Sequence, residues 1–106
     1  MTPKQAANLI ECLEKLGERP GLFLGKIDID AAELFLSGFM GAVRIALLDD
    51  EKYLARWEQV VQNRGWEKPK ATGSFAQQMI QKGMSPSEVI QELVAIEVES
   101  LRRAID

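Results

Sequence analysis

The C-terminal end of the chain constrains the fold most. Ser85-Pro86-Ser87-Glu88 sets a capping serine, a proline at the first helical position and a glutamate at the third, which together mark a helix start. From there Val89, Ile90, Leu93, Val94, Ile96, Leu101 and Ile105 keep to one wide side, predicting a helix from 86 nearly to Ile105. A helix with so much apolar surface is not stable alone in water and needs other elements to cover it.

The remaining punctuation supplies only helices as partners. Thr2-Pro3 opens a first helix and Gly17 closes it, with Ala6, Leu9, Ile10, Leu13 and Leu16 on one face. Residues 18–29 hold a proline and two glycines and read as a fixed elbow, framed by Arg19, Pro20, Gly21 and Gly25, that buries Leu22 and Phe23. Asp30, with Glu33, is expected to cap a second helix over 31–48. Its few polar residues, Glu33, Ser37 and Arg44, fall within about 40° of one another. So narrow a stripe predicts the central, most buried helix, with Gly38 and Gly41 there for close approach of a neighbour. Asp49 and Asp50 start a third helix, with Tyr53, Leu54, Trp57, Val60 and Val61 sharing a face and Gly65 ending it. A polar loop spans 66–73. Ser74 caps a fourth helix that runs through Lys82 and stops at Gly83. The expected architecture is all-α: one compact bundle of about five helices with short loops, a single domain over residues 1–106.

Composition narrows the function classes. Of the residues, 46% are hydrophobic and 27% charged, enough apolar content to build a core. The net charge of -3 argues against electrostatic nucleic-acid binding. The 74–82 and 85–105 pair is spaced like a helix-turn-helix, yet its second helix starts with acidic rather than basic residues. No apolar run approaches the roughly 18 residues of a membrane span, and no signal pattern opens the chain, so a cytoplasmic location is expected. There is no histidine and one cysteine, which removes Cys/His zinc sites, internal disulfides and histidine-based triads. Without a base to activate it, Cys12 reads as a semi-buried structural thiol. Neither cofactor nor metal is expected, and no enzyme constellation can be assembled.

Two charged groups stand out. Glu88, Glu92 and Glu99 form a stripe opposite the apolar side of the last helix, either a solvated face or, with Arg64 and Trp66, a docking surface for a basic partner. Trp66 follows Gly65 and is either folded back or exposed as an anchor, the first being favoured. Glu97 falls at the centre of the apolar face, between Leu93, Leu101 and Ala104. A carboxylate there is paired, protonated, or at a surface the monomer leaves open, and Arg44 is its candidate partner.

The stretch Arg19-Pro20-Gly21-Leu22-Phe23-Leu24-Gly25 resembles the Arg-Pro-Gly-Met-Tyr-Leu-Gly opening of small bacterial proteins, some of them suspected immunity partners of contact-dependent toxins. Leu36-Ser37-Gly38-Phe39, the aromatic helix ending at Arg64-Gly65, and Ser74-Phe75 fit the same pattern over residues 15 to 105. The resemblance implies a helical protein that inhibits another protein by docking on it. The leading expectation is therefore a non-enzymatic protein-interaction module. The alternatives are a structural or regulatory homo-oligomer such as a homodimer, and a small-ligand binder with Glu97 and Arg44 inside an inter-helix pocket.

Overall fold

A computed structural model describes residues 1–48, 50–68 and 74–105, with the side chain of Asp50 excepted. The Asp49 cap and the 69–73 part of the expected loop lie outside the described residues. Six helices follow in order: α1 (Pro3–Glu18), α2 (Pro20–Leu24), α3 (Ile29–Leu47), α4 (Asp50–Asn63), α5 (Phe75–Gln81) and α6 (Pro86–Ile105). They make one all-α bundle, and no helix among the described residues is long and apolar enough to cross a membrane.

The local start signals act as their chemistry dictates. Thr2 Oγ1 accepts from the Gln5 amide while the Gln5 side chain accepts from the Thr2 amide, at 3.1 and 2.9 Å. Ser85 and Glu88 exchange the same pair of bonds, which holds the Glu88 carboxyl below its usual range. Ser74 caps α5 through the Gln77 amide. At α3 the cap is Asp28 rather than Asp30. The Asp28 carboxylate accepts from the Ala31 amide at 3.1 Å and Asp30 is left in the exposed first turn. Two acidic residues in Asp28-Ile29-Asp30 offered alternative caps, and the helix begins at the earlier one.

The elbow is itself helical. Pro20 at the first position and Gly25, left-handed at φ 82°, bound the single turn α2. Pro20 is buried, but Leu22 is 77% exposed, contrary to the expected burial. Phe23 is 38% exposed and rests edge-on against Phe35, with ring centroids 5.0 Å apart.

The hub of the bundle is α6, not α3. α1, α3, α4 and α5 all pack against it, and its Val89, Ile90, Val94, Ile96, Val98, Leu101 and Ala104 are buried. α1 comes closest: a Cβ on Gly17 would stand 3.2 Å from a Val94 methyl. Leu13 and Leu16 are fully buried in that seam, each stabilising the fold by about 1.5–3 kcal/mol. By contrast only Ala32, Leu36, Met40 and Val43 of α3 are buried, whereas Leu34 and Ile45 are 76% and 90% exposed. Nothing lies within 4 Å of a Cβ built on Gly38 or Gly41, so these glycines do not admit a neighbouring helix of this chain.

Candidate functional site

α6 carries two contrasting carboxylates. The first, Glu92, is closed off by the C-terminal turn of α4. Gly65, at φ 86°, reverses the chain so that Arg64 and Trp66 both turn back onto α6. The Arg64 guanidinium donates to both Glu92 oxygens at 2.9 and 2.6 Å and to Glu99 at 3.1 Å. Trp66 Nε1 donates to Glu92 Oε2 at 2.8 Å, and the Lys82 ammonium sits over the Trp66 ring, 4.6 Å from its centroid. Arg103 reaches the other Glu99 oxygen at 2.8 Å. The guanidinium holds the Glu92 carboxyl below its usual range, with the indole N–H helping against the cost of burial. Glu92 in turn raises the proton affinity of Arg64.

The expected contact residues thus have internal employment. Trp66 is folded back and buried, Glu92 and Glu99 are clamped by arginines, and Glu88 serves the helix cap. Within the stripe Glu92 and Glu99 are engaged by arginines, while Glu88 stays exposed. The closure around Glu92 depends on Arg64 and Trp66, distant from it in sequence.

The second carboxylate, Glu97, opens into a cleft where α3 and α4 diverge above α6. The cleft is about 280 Å³. Glu33, Ser37, Gly41 and Arg44 of α3 form one wall, Tyr53, Leu54 and Trp57 of α4 the other, and Leu93, Ile96 and Glu97 of α6 the floor, with Phe75 of α5 at the side. The polar stripe of α3 is therefore the cleft wall. Tyr53 is buried and its hydroxyl donates to Glu97 Oε2. Arg44 lies over the Tyr53 ring, 5.6 Å from the centroid, and its charge acts on Glu97. Desolvation nonetheless dominates and pushes the Glu97 carboxyl above its usual range, with the Tyr53 hydrogen bond, the neighbouring Trp57 and the Arg44 charge pulling the other way. Burial together with Glu97 pushes the Tyr53 hydroxyl upward as well. Arg44 and Glu97 line the same cleft and the Arg44 charge acts on Glu97, whose hydrogen-bonding partner is the phenol of Tyr53. Sequence reasoning placed Tyr53 and Trp57 on the apolar face of their helix. The signal that could have drawn them to the site was their share of an apolar face opposite a helix with its own polar stripe.

Trp57 and Phe75 meet edge-to-face, ring centroids 5.5 Å apart, and give the cleft an aromatic side. Glu33 stands on the same wall as Arg44, about 16 Å away along the helix axis. It is partly buried, and desolvation followed by the nearby charge of Asp30 raises its carboxyl above the usual range. No group of three or more metal-ligating side chains occurs among the described residues. Cys12 is partly buried on α1, away from the cleft. Arg19, Pro20, Gly21 and Gly25 shape the α1–α2–α3 connection and do not line it. Comparison with protein-family models, curated proteins and solved structures gives no match.

Proposed function

We propose that the chain is a non-enzymatic cytoplasmic protein-binding domain that docks through the outer face of α3 and the cleft beside it. One observation carries the reading. Leu34, Ser37, Gly38, Ala42 and Ile45 are exposed along α3 with no charged side chain among them, and the glycine positions at its middle are open to close approach. Large exposed apolar residues grouped beside a concave site are characteristic of an interface. Ile27 and Leu54, 54% and 38% exposed, extend the apolar character beyond α3. The cleft falls at the small end of ligand pockets, which run roughly 300–1,000 Å³, and suits one inserted side chain better than a free ligand of any size. The resemblance to suspected immunity partners accords with an inhibitor that works by docking. The reading moves the contact face from the α6 carboxylates to α3.

The test is capture from native lysate with Ile45→Lys and Leu34→Lys as comparison baits, alongside light scattering of the pure protein. A stoichiometric partner that is lost with either lysine variant, at unchanged melting temperature, supports the proposal. A partner retained by both variants overturns the docking face. A pure protein that is dimeric and becomes monomeric with Ile45→Lys makes α3 a homo-oligomer interface instead.

A further inference from the structure

The charge distribution in the cleft indicates what part of a partner enters it. Two carboxylates and one guanidinium line it, and the three are unequally matched. Arg44 acts on Glu97, which also accepts from Tyr53. Glu33, by contrast, shows no hydrogen bond or ion pair among the described residues, and the charge acting on it is the like charge of Asp30. Asp28, close by, is matched by Lys26 at 3.1 Å. A partly desolvated carboxylate facing another acid is destabilised as an anion, and a cation placed beside it removes that cost. The wall next to it is aromatic, with the Trp57 and Phe75 rings inclined at 68° to each other, and aromatic faces attract ammonium and guanidinium groups.

We infer that the cleft takes a lysine or arginine side chain of the docking protein, its apolar stem against Trp57 and Phe75 and its charged head at Glu33. The inference rests on the proposed docking role. The titratable groups that line the cleft are Glu33 and Arg44 from α3, Tyr53 from α4 and Glu97 from α6; Asp30 acts on Glu33 from the first turn of α3, and Asp28, paired with Lys26, lines an adjacent groove with Glu33. α5 contributes no titratable side chain to the cleft. Binding of the cation tightens as pH rises through the elevated Glu33 value, because only the ionised carboxylate attracts it.

The probe is N-acetyl-lysine methylamide, titrated against the intact chain while the Trp57 indole N–H is followed by NMR, with N-acetyl-norleucine methylamide as the uncharged counterpart. The lysine compound is expected to bind saturably and about fivefold more tightly than the norleucine compound near neutral pH, the scale of one partly exposed ion pair. Glu33→Gln, which breaks no internal bond, is expected to abolish that preference and its pH dependence while the melting temperature holds. Equal affinity for the two compounds, absence of any saturable shift, or an undiminished preference in Glu33→Gln overturns the inference. Failure of the docking face is distinguishable: Ile45→Lys loses the protein partner but leaves the lysine compound bound.

Discussion

Glu92 and Glu97 stand on one helix, about 140° apart around its axis, and the protein treats them in opposite ways. Glu92 is met by a guanidinium and an indole N–H, and its carboxyl is held below the usual range. Glu97 is met chiefly by a phenol, beneath a cleft, and its carboxyl is pushed above it. The difference is one of closure. At Glu92 the charge is balanced and the surface is covered, so the group fixes α4 against α6. At Glu97 the balance is incomplete and the surface is open. Desolvated charge next to an unfilled space marks the place where a further group would be stabilising.

The largest effect that separates the two regions is expected from Arg64→Ala. It leaves Glu92 partly buried without its cation and should cost about 2 kcal/mol in urea unfolding, less than a fully buried pair would because Arg64 is about one-third exposed. Adding Glu92→Gln to that variant should recover part of the loss. Trp66→Phe keeps the ring in its pocket but removes the indole donor, and about 1 kcal/mol of stability should go with it.

Glu97→Gln is expected to behave differently and to reverse sign. The folded state raises the Glu97 value, so its contribution is fully present below the ordinary glutamate value of 4.5 and is lost as pH rises through the elevated one. The variant, which can still accept from Tyr53, should therefore match the parent near pH 4 and exceed it by about 1 kcal/mol near pH 7. Glu92 has a lowered folded value, so its contribution is present above 4.5 and lost as pH falls. Glu92→Gln should weaken the protein at neutral pH and converge with the parent in acid. Thermal melts across that pH range read both. The smallest effect belongs to Leu22→Lys on the exposed side of α2, within about 0.5 kcal/mol of the parent.

What could be read from the sequence was what is local. The Thr2 and Ser85 caps need only residues three apart, and both act as expected. The placement of Glu97 on an apolar face follows from helical count alone, and the folded-back position of Trp66 from a tryptophan standing just after Gly65 in a polar loop. α2 was hidden because Gly21 lies inside a turn of only five residues, although Pro20 and Gly25 bound it in the usual way. The centre of the bundle was misplaced for a more general reason. An apolar helix surface looks the same whether it is buried or kept for a partner, and α3 has one of each kind. Gly38 and Gly41 were read as admitting a helix of the same chain, yet they face open space. The Glu92 clamp was not legible at all, because it depends on Gly65 turning Arg64 and Trp66 onto a helix more than twenty residues downstream.

The contrast between the two carboxylates is measured most directly by following the side-chain carboxyl carbons of the glutamates by NMR as a function of pH. Glu92 is expected to titrate below 4.5 and Glu97 above it, with Glu33 moving down when N-acetyl-lysine methylamide is added and the Glu92 curve unmoved. A Glu97 that titrates at or below 4.5 in the free protein would contradict the account, because its charge would then be as well matched as that of Glu92.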